Sequence, residues 1–364
     1  MYIVLAILVF GLLIFIHELG HYISARIFHV RIYEFAIGMG PKLVWFRSKK
    51  TGIVYALRMI PFGGFVSMEG ELSEEDAGDA PNPPEDGEPA PEIVDPRLGS
   101  LASKPAWQRL IVHAAGALQN LLLGFLICVI LTCSSVVGGT TVSAFQKTEE
   151  GLPSSAAQGL MVGDEILKVG SHRVHISDQL YYQIVHQGGG EEPLTLTVRR
   201  NGEIQELQIR FPSEEENGIS YGTLDFYVAP EEKTFGVVIK QSFYKSCYLV
   251  QAVWDSLIDL ITGRYSLKAV SGPVGTAQAI SEVAKTGMYS FLYIVGLISV
   301  NLGIFNLLPL PALDGGHVLY TLIELVSRKK LPAKTIAWID TVGLFLLLAL
   351  MVVVTFKDIY SCIM

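Results

Sequence analysis

Four stretches of the chain are apolar for long enough to cross a bilayer, whose hydrocarbon core takes roughly 20 helical residues. They are residues 2–27, 109–137, 289–311 and 338–357. Two more segments, 243–261 and 268–280, are too polar or too short to span, and the first of these reads as an amphipathic helix lying at the interface. Residues 28–70 alternate apolar and polar positions with glycines at bends, which predicts a small β-region. Its apolar residues and its place just after a span set it against the membrane, where backbone must be paired or shielded by protein. Residues 71–100, ELSEEDAGDAPNPPEDGEPAPEIVDPRLGS, hold almost nothing apolar to bury. A disordered insertion is expected there, with a docking or regulatory tail as the alternative. A cytoplasmic-side helix start and the second span fill 101–137. Residues 138–215 differ in kind: the turn and strand GLMVGDEILKVGSHRV, a helical ISDQLYYQIVHQ, and two strand-like runs joined at Asn201-Gly202, a strong hairpin signal. Residues 216–288 read as a linker with amphipathic segments, 289–324 as the third span with Leu313-Asp314-Gly315, 325–337 as a loop, and 338–364 as the fourth span and tail.

Composition agrees with a membrane protein. Half of the 364 residues are hydrophobic and only 17% are charged, a balance beyond that of ordinary soluble domains. The net charge of -8 comes largely from residues 69–95, so it says little about partners, and no basic tract suits nucleic acid. Cys128, Cys133, Cys247 and Cys362 show neither zinc-site nor disulfide-framework spacing. Residues 1–27 lack a positive n-region and a small-residue cleavage site, so they read as a retained helix rather than a signal peptide. Lysine and arginine set the orientation. Residues 26–58 carry Arg26, Arg31, Lys42, Arg47, Lys49, Lys50 and Arg58 against Glu34, and Arg328, Lys329, Lys330 and Lys334 fill the last loop. Both regions are expected in the cytoplasm, with residues 138–288 and both termini outside.

The first span contains His17-Glu18-Leu19-Gly20-His21. Residues four apart share a helix face, so two imidazoles can bind one zinc ion while Glu18 acts as general base. On a soluble helix this pattern is often only a wet surface face. Inside a span, ionisable groups are costly and need a shared partner, and a cation supplies one. A catalytic zinc needs a third protein ligand and an open position. The inner end of the third span, GIFNLLPLPALDGGHVLY, lies at similar depth and offers Asp314 and His317.

HELGH (17–21), NLLPLPALDGG (306–316), FAIGMGPKL, PFGGFV and SGPVG (271–275) together resemble the site-2 protease family of intramembrane zinc metalloproteases, in its bacterial branch with a single PDZ domain. The resemblance covers nearly the whole chain outside 71–100, and residues 138–215 resemble a PDZ domain of the bacterial protease type. It implies a polytopic α-helical membrane protein with four transmembrane helices, a membrane-associated β-region and an extracytoplasmic α+β PDZ domain. It implies a zinc endopeptidase of the bacterial cytoplasmic membrane that cuts single-span proteins, such as anti-sigma factors and remnant signal peptides. On this basis His17, His21 and Asp314 hold Zn2+, Glu18 activates water, and Asn306 positions substrate or stabilises the oxyanion, with a packing amide as its alternative. His317 is then a structural residue. Asn120 is a candidate substrate contact or a packing residue, and Gly63 and Gly64 let an unwound substrate approach a strand edge or simply make turns. Where the family often has proline in the second span, this chain has Ala117, which removes a local kink. The PDZ groove takes a peptide or serves as a size filter. Other readings are an HExxH protease with a soluble catalytic domain, a non-enzymatic scaffold and a metal transporter.

Overall fold

The computed structural model describes residues 2–70, 97–146, 153–190, 192–216, 219–264 and 270–363. Nearly all of the acidic insertion, residues 71–96, falls outside them. In chain order the elements are α1 (Tyr2–Ile27), β1 (Ile32–Arg47), β2 (Val54–Met68), α2 (Ala106–Ser134), β3 (Gly138–Phe145), α3 (Ser154–Ala157), β4 (Glu165–Val169), β5 (His172–Arg173), α4 (Ser177–Gln187), β6 (Leu194–Arg200) and β7 (Glu203–Ile209). They continue with β8 (Ser213–Glu216), β9 (Ile219–Gly222), β10 (Phe226–Pro230), α5 (Phe235–Thr262), α6 (Pro273–Thr286), α7 (Met288–Leu307), α8 (Asp314–Ser327) and α9 (Ala333–Ile363). The chain divides into two compact units, one of residues 1–124 with 270–364 and one of residues 125–269.

The first unit holds most of the apolar helix. Among the described residues, four helices are long and apolar enough to cross a membrane: Val4–Ile27, Ala106–Ser134, Met288–Leu307 and Ala333–Tyr360. Small residues let them approach closely, as packing within lipid requires. A Cβ on Gly20 of α1 would strike the Ala115 carbonyl of α2, and one on Gly303 of α7 would crowd the Ala117 carbonyl and Leu121. The sequence-predicted third span, 289–311, ends early, at Leu307. Pro309 and Pro311 lack the N–H that would continue the ladder and bias their predecessors away from helix. The chain turns through Ala312, at a φ of 63°, before α8 begins at Asp314. The SGPVG segment is also explained here: Asp358 of α9 accepts from the Gly272 and Gly275 amides at 2.8 Å each. It thereby caps α6, whose first residue is Pro273.

The β-region predicted for 28–70 is formed by β1 and β2, both sharply bent. Ala36 has partners on two sides, Phe65 and Ala56, while the outer half of β1 pairs Phe46 with Tyr55. Gly38, Gly40 and Gly63, at φ of 87°, 80° and 83°, make the bends. The end of the expected insertion is anchored beneath this sheet. Arg31 donates to the Gly99 carbonyl at 3.1 Å, and Leu101 donates to the Glu69 carbonyl at 2.7 Å.

The second unit is a sheet in the order β10-β3-β4-β6-β7, with β5 on β4, packed beside α4. Its core includes Val142, Ile166, Leu180, Ile184, Leu196, Val198 and Phe226, all at most 3% exposed. Asn201 and Gly202 both have positive φ, 52° and 89°, and join β6 to β7, the conformation that a two-residue hairpin turn needs. The expected linker of 216–288 is corrected. Phe226 is buried and β10 pairs antiparallel with β3, so the sheet needs residues beyond 215. Then α5 runs 28 residues, with the Thr234 hydroxyl accepting from the Val237 amide at 3.3 Å and Gly263 closing it in the left-handed region. On its polar side Asp255 accepts from the Tyr182 hydroxyl of α4 at 3.0 Å, while Phe243, Trp254, Ile258 and Ile261 are exposed.

Asp164 shows what the Gly163-Asp164 turn does physically. The carboxylate is 1% exposed, forms two 2.7 Å bonds with Arg200 and accepts from the Met161 amide. Burial alone would raise its pKa, but the arginine and the amide outweigh burial and hold it below the usual value. A carboxyl whose folded pKa is depressed adds stability above its unfolded pKa, near ~3.9, and loses it as pH falls through the folded value. Asp164→Asn is expected to cost this unit about 3 kcal/mol at neutral pH, because it leaves Arg200 without its counter-charge. Thermal unfolding from pH 7 to pH 3 should show the variant's deficit shrinking below pH 4, and a deficit constant with pH would show the charge to be unimportant.

Candidate active site

Helix α1 carries His17 and His21 one turn apart, and both are buried, at 9% and 8% exposure. The first residue of α8, Asp314, reaches them across 293 residues of sequence. Its Oδ2 lies 3.1 Å from His17 Nε2 and 3.2 Å from His21 Nε2, and the two Nε2 atoms are 3.4 Å apart. Asp314 is placed by the chain reversal before it. Glycine is required at 315 and 316, where a Cβ would strike the carbonyls of Leu308 and Leu310. The reversal is held from α9: Asp340 accepts from the Ala312 amide at 3.1 Å and the Tyr320 hydroxyl at 3.0 Å. Asp340→Ala is expected to lower thermal stability in detergent by about 1–3 kcal/mol, because it strands both donors. It should also weaken metal retention through a misplaced Asp314, and full metal content after dialysis would argue against that link.

The donor set fits a zinc ion. Two imidazole nitrogens and a carboxylate oxygen are zinc ligands of ordinary type, and ligand bonds of ~2.0–2.2 Å in a tetrahedron place donor atoms about 3.3–3.6 Å apart. The observed edges of 3.1, 3.2 and 3.4 Å come close to that size, the two to Asp314 slightly shorter. His21 Nδ1 lies 2.8 Å from the Val112 carbonyl, which can only accept, so Nδ1 carries a proton, and the neutral ring then has its Nε2 lone pair for a metal. The site is backed by Gly116 of α2, where a Cβ would collide with Nε2 of both histidines. Among the described residues this is the one group of three His, Cys, Asp or Glu side chains close enough to share an ion.

Glu18 is 9% exposed and follows His17 on the same turn. It abuts β2, where a Cβ on Gly64 would press on Glu18 Cγ, Ile14 and the Ala36 carbonyl. The structure thus brings together His17, Glu18, His21, Asp314, Asn120 and Gly64. Asn306 donates its amide to the Leu302 carbonyl of its own helix at 2.9 Å. Gly63 meets Met39 at a bend. Asn120 is fully buried, with Nδ2 3.2 Å from His17 Nδ1. Its surroundings are therefore the histidine rather than an open substrate path.

Sequence reading missed His113, whose ring stacks on His317 at 5.1 Å between centroids, with His317 Nε2 3.7 Å from Asp340. It also missed Val112 and Gly116. His113 and Gly116 share the α2 face that bears Asn120, and a helical wheel aligned on Asn120 was the available signal.

The sequence profile of peptidase family M50 matches residues 5–350. The chain belongs to this family. A relative in Clostridium perfringens with a provisional zinc-metalloprotease name is 37% identical over 99% of this chain and 98% of its own. The zinc metalloprotease RasP of Geobacillus kaustophilus is 32% identical over 97% of this chain and 96% of its own. The regulator of sigma-W protease RasP of Bacillus subtilis is 29% identical, covering 97% of both. This M50 peptidase is a zinc metalloprotease of the site-2 type, and its four apolar helices make it a multi-pass membrane protein.

Proposed function

We propose that this peptidase cuts single-span membrane proteins within their apolar segments, using His17, His21 and Asp314 as zinc ligands and Glu18 as general acid and base. The observation carrying the proposal is the convergence of those three donor atoms between helices long and apolar enough to cross a membrane. Zinc, when bound, supplies Lewis acidity that polarises a carbonyl and acidifies water. The Glu18 carboxylate takes the proton of the attacking water and returns it to the leaving amine. The helical substrate must first unwind, because its carbonyls are tied up in intrahelical bonds. Gly64 places β2 directly against Glu18 with no side chain intervening, so the outer edge of this strand can receive the unwound segment and replace its lost hydrogen bonds. His21 and His17 are kept in register by the acceptor and the cradle on α2.

The chain's basic loops support a site toward the cytoplasm, with residues 138–288 outside a bacterial cytoplasmic membrane. The turn, sheet and α4 of the second unit support a PDZ-like reading of it. Among the described residues β10 has β3 as its one strand partner, so its other edge is open to an extended peptide, and the unit's bulk can also exclude large outer domains. Anti-sigma factors and remnant signal peptides are the substrates of this kind, and the sigma-W name of the Bacillus relative supports the first of them. The test is to reconstitute the full chain with an isotope-labelled single-span substrate and map the cut by mass spectrometry. A cut inside the apolar segment is expected. Cuts confined to its soluble flanks would overturn the intramembrane reading.

A further inference from the structure

The face of α2 behind the site repeats every four residues: Val112, Gly116 and Asn120. The Val112 carbonyl receives the Nδ1 proton of His21 at 2.8 Å. Gly116 leaves room for both rings. Asn120 stands at His17 Nδ1, one turn further, at 3.2 Å. Its backbone carbonyl is itself fixed by the Ser299 hydroxyl of α7 at 2.8 Å, and Asn120 and Ser299 are both fully buried.

The chemistry of the neighbour decides which end of the Asn120 amide faces the ring. A neutral imidazole that offers its Nε2 lone pair carries its proton on Nδ1. That proton needs an acceptor, and the Asn120 amide is the group the structure places there. With Nδ2 toward the ring, a donor faces a donor, and Oδ1 is left buried without a partner. The amide has nearly the same shape when turned by half a rotation. Turned, Oδ1 accepts from Nδ1–H.

We infer that Asn120 is a positioning residue for the metal site: its Oδ1 accepts the Nδ1 proton of His17, fixing that ring's tautomer and direction as the Val112 carbonyl fixes those of His21. This gives Asn120 a role other than substrate contact, and it rests on the reading of His17 as a zinc ligand. Partners of this kind typically contribute 10- to 100-fold in metal affinity.

The experiment compares the native chain with Asn120→Asp and Asn120→Leu in detergent. Zinc affinity is measured by competition with a chromophoric chelator, and the cobalt(II) absorption spectrum is recorded alongside. Thermal unfolding of the metal-free proteins reports folding. Asp keeps an acceptor and loses the donor; Leu keeps the approximate volume and loses both. The expected result is a roughly 10- to 100-fold loss of zinc affinity and an altered cobalt spectrum in Asn120→Leu, with Asn120→Asp within about threefold of native. Equal losses in both variants would show that the amide N–H matters and would overturn the inference. Native zinc affinity in Asn120→Leu with impaired cleavage would overturn it in favour of substrate contact. If Leu lowers metal-free stability, Asn120→Asp alone still decides, because an acceptor role predicts retained affinity and a donor role predicts its loss. A native chain that binds no zinc would instead sink the ligand assignment itself.

Discussion

Glu18→Gln should abolish peptide cleavage while leaving zinc content unchanged. Glutamine has the shape of glutamate and preserves the contact with Gly64, but it cannot accept the proton of an attacking water. The three converging donor atoms come from His17, His21 and Asp314, so the metal site does not depend on residue 18. Loss of a general base in such a site removes about 10²–10⁴-fold in rate. Single-turnover cleavage of a tagged single-span substrate, with zinc measured on the same samples, separates the two effects. Retained cleavage in the variant would remove Glu18 from the mechanism, and loss of zinc with it would make Glu18 part of the metal site.

The second large effect comes from one methyl group. Gly116→Ala should weaken zinc binding by at least about 100-fold, beyond the usual loss of one outer partner, because both ligands are displaced. An alanine Cβ there would overlap Nε2 of His21 and of His17 together. The backbone of α2 gains from the change, since alanine is better than glycine in a helix by about 1 kcal/mol. The protein is therefore expected to stay folded, with metal and cleavage lost in parallel. Zinc stoichiometry after dialysis, read beside the thermal unfolding of the metal-free protein, checks this. Full occupancy in Gly116→Ala would mean that the rings sit elsewhere when metal is bound.

What could be read from the sequence follows from which atoms carry the chemistry. His17 and His21 are legible as candidate ligands because side chains would carry that role and helical spacing puts them on one face. Asp314 was reached through the motif around it, since nothing local distinguishes it from His317. The structure separates them: Asp314 opens α8 toward the histidines, whereas His317 stacks on His113. Val112 was invisible because its backbone carbonyl acts, and any residue supplies one. Gly116 was invisible because what matters is the absence of a side chain, and AAGALQN reads as ordinary helix. Its role depends on α1 lying within van der Waals reach of α2, which Gly20 permits. The same distinction holds for the fold. Apolar length showed the four spans, and Asn201-Gly202 showed its turn because the φ values it requires belong to few residue pairs. The helix break at Leu308 was passed over although Pro309 and Pro311 signalled it, because the apolar run continues through them. The β10 strand was missed because five residues ending in proline give too little alternation to stand out from a linker, and its pairing with β3 is decided by a segment about 80 residues earlier in the chain.

In the proposed mechanism zinc is held by two histidines of the first helix and the aspartate that opens α8. X-ray absorption at the zinc edge of the purified full chain tests it directly, with Asp314→Ala measured alongside. The expected result is a first shell of nitrogen and oxygen alone at ~2.0–2.2 Å, multiple scattering from two imidazoles, and loss of zinc or of an oxygen neighbour in Asp314→Ala. Sulfur at ~2.3 Å, or an unchanged shell in Asp314→Ala, would contradict it.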